Sequence, residues 1–267
     1  MNDKLNDTFS RLRQQRRKAL TPFLTASYPE PARFPAAIDA ICESGADVLE
    51  IGFPHSDPLA DGPVIQHASH TSIINGFTLS KGFAAVKLIA RRHHLPIVLM
   101  CYTNLIHQAA YSTFVNACRE SGVSGLIVPD MILEESFSLR SICLRHGLAF
   151  INMIAPTTPP ARAAAIAGSA DGFVYLVSVA GTTGARTRFN NEIKHTALQL
   201  RKATSLPICL GFGISSPEMA ARAAGFTDGV IIGSKVIQLI DADGRNDRFP
   251  TLRGFLESVS AQLKGTR

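Results

Sequence analysis

Residues 34–52 read Phe34-Pro35-Ala36-Ala37-Ile38-Asp39-Ala40-Ile41-Cys42-Glu43-Ser44-Gly45-Ala46-Asp47-Val48-Leu49-Glu50-Ile51-Gly52. Phe34, Ala37, Ile38 and Ile41 recur at the spacing of one helix face, which predicts an amphipathic helix over Phe34–Ser44. Ser44-Gly45 supplies the turn that a helix C-terminus prefers. Val48–Gly52 is then a short apolar strand. Outward from this unit the same alternation fills the chain. Strands are predicted at Pro22–Thr25, Val48–Gly52, Ile97–Tyr102, Gly125–Val128, Ala149–Ile154, Phe173–Val177, Ile208–Phe212 and Gly229–Ile232. Helices are predicted at Leu79–Arg92, Ala109–Glu120 and Glu134–Arg145 among others. Strands alternating with helices imply parallel strands joined by right-handed crossovers.

Eight strands in about 210 residues repeat about every 26, close to the requirement of a (β/α)8 barrel. A doubly wound open sheet is the alternative, but no GxGxxG follows the first strand. No composition break divides the chain. The expectation is an α/β protein, a single (β/α)8 TIM barrel over residues 1–267. Residues 1–19 would form an extra N-terminal helix capping its lower end.

The chain of 267 residues is 46% hydrophobic and 18% charged, which argues against disorder. No apolar run approaches the roughly 18 residues of a membrane span. The N-terminus carries Asp3 and Asp7 and has no apolar core of a signal peptide. The net charge is +6, and Arg11, Arg13, Arg16, Arg17 and Lys18 supply five of those charges. Leu5, Phe9 and Leu12 form a helical stripe beside them, so the plain reading is a solvated basic face. Nucleic-acid binding gains no support from basic and aromatic interleaving elsewhere. Cys42, Cys101, Cys118, Cys143 and Cys209 form no CxxC pair and read as buried thiols of a reducing compartment. A cytoplasmic protein with no membrane contact is expected.

Barrel sites lie at the C-terminal ends of the strands. On the second strand Leu49 and Ile51 share one face and Glu50 the other, so Glu50 points into the barrel if the Leu/Ile face packs on helices. Burial raises a carboxyl pKa and suits it to proton transfer, although a structural ion pair remains open. The following stretch Phe53–Pro63 holds three prolines and two aspartates, an irregular loop that brings Asp61 near Glu50. Asp57 reads as a turn former. Leu210–Ser215 and Ile232-Gly233-Ser234 follow the seventh and eighth strands, the usual barrel phosphate site. Residues 178–187 read as a flexible loop, and Tyr175 as core or pocket wall. His67 and His70 lack a third metal ligand, and no lysine lies within a strand to form a Schiff base.

Glu50-Ile51-Gly52 running into Pro54, then Ser56-Asp57-Pro58-Leu59-Ala60-Asp61-Gly62-Pro63, is very similar to the signature of the tryptophan synthase α subunit family. The resemblance continues through Asn104, Asp130, Tyr175-Leu176, Thr183-Gly184-Ala185, Gly211–Ser215 and Gly233-Ser234. It implies cleavage of indole-3-glycerol phosphate to indole and glyceraldehyde 3-phosphate, with indole passed to a β subunit in an α2β2 assembly. It implies Glu50 as general acid/base and Asp61 as second catalytic carboxylate. Phe23, Ile65, Met100, Ile127, Met153, Tyr175, Thr183, Gly184, Phe212, Gly213, Gly233 and Ser234 would line the substrate pocket. Neither metal nor cofactor is implied in this chain, pyridoxal phosphate belonging to the partner. Phe53 and His55 depart from the family pattern in the loop that touches the β subunit, and so bear on partner fit. A stand-alone lyase and a barrel kept as a binding partner are the competing readings.

Overall fold

A computed structural model describes residues 3–178, 191–211 and 213–264. After the N-terminal helix α1 (Asp3–Gln14) come β1 (Ala19–Thr25), α2 (Phe34–Glu43), β2 (Leu49–Gly52), α3 (Pro63–Ile74), α4 (Leu79–Arg92) and β3 (Ile97–Met100). The middle of the chain forms α5 (Thr103–Ala109), α6 (Tyr111–Glu120), β4 (Val123–Ile127), α7 (Leu133–Arg145), β5 (Ala149–Ile151) and β6 (Met153–Ile154). It continues through α8 (Pro160–Gly168), β7 (Val174–Val177), α9 (Asn191–Ala203) and β8 (Ile208–Gly211). It ends with α10 (Pro217–Ala224), β9 (Gly229–Ile232), α11 (Ser234–Ala242) and α12 (Pro250–Lys264).

The strands run parallel in the order β5-β4-β3-β2-β1-β9-β8-β7-β6. β5 and β6 are two pieces of one barrel strand interrupted at Asn152. β5 pairs with β4 and β6 with β7. The Asn152 carbonyl accepts the Tyr175 N–H at 3.0 Å, which carries the ladder across the break. Its side-chain amide donates to the Ile166 carbonyl at 3.1 Å and to Ser169 Oγ at 2.8 Å, so the interruption leaves that buried amide bonded. The eight barrel positions expected from the alternation are therefore occupied, the fifth by a broken strand.

Leu5, Phe9 and Leu12 are all buried, and the Phe9 ring packs on Phe173 at 5.7 Å between centroids. Burying a side chain of this size contributes about 1.5–3 kcal/mol, so the apolar stripe fastens α1 beneath the barrel. Residues 1–19 overstate this element. The helix stops at Gln14, Arg16 turns the chain at φ 53°, and Ala19 already pairs with Gly229 in β1. Pro22 lies inside β1 opposite Ile232, not at its start; its missing N–H leaves one ladder position without a donor. The helix expected over Ala109–Glu120 starts at Tyr111 as α6, and the separate helix α5 precedes it, because Ala110 adopts φ 60°, which no helix continues through.

Gly52 ends β2 where the Phe23 ring crosses it: a Cβ there would lie 2.6 Å from the ring. Gly52→Ala is therefore expected to displace Phe23, destabilise the fold by about 1–3 kcal/mol and raise KM. Denaturant unfolding and steady-state kinetics on one preparation measure both, and unchanged values would mean that the ring moves freely.

Candidate active site

Glu50 lies mid-strand in β2, opposite Phe23 of β1 and Val98 of β3. It is 1% exposed, and its Oε2 has no hydrogen-bond partner among the described residues. Burial, reinforced by the nearby Asp61 charge, pushes its carboxyl from 4.5 up to about 8. At neutral pH such a group holds a proton that it can give away.

Asp61 comes from the loop between β2 and α3. Pro58 and Gly62-Pro63 make that loop irregular, and it is pinned by backbone bonds from Leu59 N to Asp57 O and from Asp61 N to Pro58 O, both 3.0 Å. The Gln66 amide donates to the Asp61 carbonyl at 2.9 Å. The carboxylate is 8% exposed; burial lifts its pKa from 3.8 to about 6, against the opposing effect of a hydrogen bond donated by Tyr102. Tyr102 Oη donates to Asp61 Oδ2 at 3.0 Å and accepts the Ala60 N–H at 3.1 Å. The sequence reading missed Tyr102. Its only signal was a buried tyrosine at the end of the third predicted strand, where a hydroxyl needs a partner.

Tyr102→Phe removes a donor that favours ionised Asp61. The Asp61 pKa is then expected to rise further, moving the acid limb of kcat/KM upward by about 0.5–1 pH unit, the equivalent of one hydrogen bond. An unmoved acid limb would show that Tyr102 does not hold the working carboxylate.

Around the pair the strand ends supply an apolar wall. Met100 stands opposite Gly52 and beside Ile127, while Met153 pairs with Tyr175 across β6 and β7. Tyr175 is buried and feels the charges of both Glu50 and Asp61, which with burial raise its hydroxyl pKa. Gly211 leaves room for the Tyr175 ring, since a Cβ there would collide with it. A Cβ on Gly233 would lie 3.3 Å from Phe23 and 3.4 Å from Ile65, so these three residues meet at one edge. Gly233 is also the N-cap of α11, with no side-chain bond to the first-turn N–H groups. Those donors, beginning at Ser234, are free to meet an anion. Gly213, at φ 74°, exposes backbone near Ser178.

Of the site residues expected from sequence, Phe23, Glu50, Asp61, Ile65, Met100, Ile127, Met153, Tyr175, Gly213, Gly233 and Ser234 fall within the strands or in the segments that follow their C-terminal ends. Thr183, Gly184 and Phe212 lie outside the described residues. Phe53 is 3% exposed and packs edge-on against Phe77 and Phe83, so it would bear on partner fit through the packing beneath its loop. His55 stacks on Tyr102 with centroids 4.9 Å apart, and its Nδ1 accepts the Asp57 N–H at 3.1 Å. No group of three or more metal-ligating side chains occurs among the described residues.

Two buried carboxyls held near neutrality, an apolar wall and an open helix N-terminus at the C-terminal rim define an acid–base enzyme of the (β/α)8 class. The family model described as tryptophan synthase alpha chain matches residues 9–261. The tryptophan synthase alpha chain of Laribacter hongkongensis is 41% identical over 91% of this chain and 92% of its own length. That of Arabidopsis thaliana is 35% identical over 97% and 95%. Among solved structures, tryptophan synthase of Mycobacterium tuberculosis superposes with a TM-score of 0.90 at 31% identity, covering 98% of both chains. Tryptophan synthase subunit alpha of Legionella pneumophila gives 0.89 at 34%, over 97% of this chain and 98% of that one. The chain belongs to the tryptophan synthase alpha chain family, the indole-3-glycerol-phosphate lyases of tryptophan biosynthesis, whose alpha chain uses no cofactor.

Proposed function

We propose that Glu50 and Asp61 carry the retro-aldol cleavage of indole-3-glycerol phosphate. The supporting observation is that two buried carboxyls lie close enough for the Asp61 charge to act on Glu50, with pKa values pushed apart, Glu50 to about 8 and Asp61 to about 6. At pH 7 the first is an acid and the second an anion, the division of roles that such pairs provide. Protonated Glu50 delivers its proton to indole C3, which makes the ring cationic. Asp61 accepts a hydrogen bond from the indole N–H and stabilises that charge. The Glu50 carboxylate then removes the proton of the glycerol hydroxyl next to the ring. The carbon–carbon bond breaks as that oxygen becomes the aldehyde, and its electron pair returns to the ring to release indole. Phe23, Ile65, Met100, Ile127, Met153 and Tyr175 enclose the indole, and with Phe212, Thr183 and Gly184 complete the pocket of this reading.

Phosphate is held at Gly213, Gly233 and Ser234 in this reading, supported by the uncapped α11 N-terminus. Ser234→Asp puts a negative charge there and is expected to weaken substrate binding by about tenfold or more while leaving free indole unaffected. Calorimetric titration with both ligands decides it; equal losses would relocate the phosphate.

The partner in this reading is a tryptophan synthase β subunit in an α2β2 assembly. Leu59, 83% exposed within the Asp61 loop, and Ile132, 52% exposed before α7, offer it apolar surface at the same rim as the site. No single helix among the described residues is long and apolar enough to cross a membrane. Together with five unpaired thiols, this supports a cytoplasmic setting. Turnover of indole-3-glycerol phosphate by the purified chain, with and without a β subunit, tests the whole reading. Absence of indole release in both conditions would reject it.

A further inference from the structure

The basic run at the end of α1 and after it is only in part the solvated face that its sequence suggests: Arg13 and Arg16 are exposed, while Arg17 and Lys18 are partly buried. Arg13, Arg16, Arg17 and Lys18 line a cleft of about 380 Å³ whose other walls are Phe9, Leu12, Pro207 and Asp228. That volume falls within the range of small-molecule sites. The cleft lies at the N-terminal ends of β1, β8 and β9, the barrel face opposite the Glu50 site.

Its charge is unbalanced. Asp228 Oδ2 is paired with Arg201 at 2.6 Å and also accepts the Ile208 N–H at 2.9 Å. Asp47 Oδ1 sits 3.5 Å from Arg17, while its other oxygen accepts the Leu20 N–H. Four cations (Arg13, Arg16, Arg17 and Lys18) thus line the cleft with one carboxylate, Asp228, which Arg201 already engages. Arg17 Nε is buried without a hydrogen-bond partner among the described residues, and a buried guanidinium donor left unbonded is costly. Lys18 is half-buried; burial lowers its pKa, with Arg201 and Arg13 acting in the same direction and Asp228 opposing them. Arg16 sits at φ 53°, where glycine is the low-energy choice, so the turn that places its side chain carries backbone strain.

We propose that this cleft is a second ligand site, for a small organic anion that rests its apolar body on Phe9, Leu12 and Pro207 and its oxyanion against Arg13, Arg16, Arg17 and Lys18. The paired apolar floor and cationic rim select against a bare inorganic ion, which gains nothing from the floor, and against a neutral aromatic, which leaves the cations unpaired. The cleft's limited volume, about 380 Å³, favours a small molecule over an extended acidic chain.

The test is calorimetric titration of the full chain with 1-naphthyl phosphate, an aromatic dianion, alongside inorganic phosphate and poly-glutamate. The catalytic pocket also accepts an aromatic phosphate, so Ser234→Asp is titrated in parallel to weaken that event alone. Wild type is expected to show two events. Arg13→Glu combined with Arg16→Glu, both exposed and outside the catalytic pocket, is expected to weaken one of them by at least about tenfold. That pair should keep wild-type lyase kinetics and Tm, and Ser234→Asp should retain the event it removes. The milder pair Arg13→Gln with Arg16→Gln should weaken the same event by a smaller factor. Unchanged binding in both pairs overturns the proposal. Inorganic phosphate binding as tightly as 1-naphthyl phosphate, or poly-glutamate displacing it at equal charge concentration, also overturns it in favour of a bare-ion or acidic-polymer surface.

Discussion

Glu50→Gln is expected to lower lyase turnover by a factor of about 10²–10⁴, the range of a lost general acid–base, while stabilising the protein. The amide keeps the shape of the side chain but cannot exchange the proton that the reaction needs. The stability effect follows from the raised pKa of about 8 against an ordinary 4.5. Between those values the folded wild type keeps a proton that the unfolded chain has released, so its stability falls as pH rises through the window. Below about pH 4.5 both states are protonated and the penalty vanishes; above about pH 8 it is fully present. At about 1.4 kcal/mol per pH unit, the variant should gain a few kcal/mol over wild type at pH 8 and lose that advantage near pH 4.5. Urea unfolding at both pH values, with turnover on the same samples, measures both effects. Turnover within about threefold of wild type would remove Glu50 from the chemistry. A variant less stable than wild type at pH 8 would mean that the carboxylate is paired when charged.

Asp61→Asn should cost about 10²–10³ in kcat, or about 2.7–4 kcal/mol of transition-state stabilisation. The amide oxygen can still accept the indole N–H bond, but it brings no charge to offset the cationic ring. In wild type kcat/KM should rise through an apparent pKa near 6 and fall through one near 8, as Asp61 ionises and Glu50 loses its proton. Because the two carboxyls interact, these values belong to the pair. Asp61→Asn should abolish the acid limb. It should also move the alkaline limb downward, since the Asp61 charge helps to raise the Glu50 pKa. An alkaline limb that stays in place would show that burial alone sets Glu50.

Much of this was legible because a parallel barrel writes itself as repetition. The unit from Phe34 to Gly52 carries a helix face, a glycine turn and a strand, and the same grammar recurs along the chain. Glu50 stood out because a charged residue interrupted an otherwise apolar strand. The irregularities were harder to read. Asn152 breaks the fifth strand through side-chain bonds to Ile166 and Ser169, which lie 14 and 17 residues away. Ala110 takes a left-handed φ that alanine composition gives no reason to expect. Tyr102 acts through Asp61, 41 residues distant, and only the fold brings them together. Phe53 could be placed in the partner-facing loop but not oriented within it; its ring turns inward to fill space between Phe77 and Phe83, 24 and 30 residues away.

The order of strands in the sheet divides the molecule at Asn152. β1 to β5 are consecutive in the chain and adjacent in space, and so are β6 to β9. Every proton-handling group of the proposed reaction, Glu50, Asp61 and the Tyr102 that holds it, belongs to the first arc. The proposed phosphate contacts at Gly213, Gly233 and Ser234 belong to the second. A bound substrate is then a molecular staple: the carboxyls that work on its indole belong to the first arc, and its phosphate is held by the second. Its affinity adds directly to the cohesion between the two arcs. Catalysis, by severing the substrate between those ends, also removes the staple, and each turnover returns the barrel to being held together by its own strands alone.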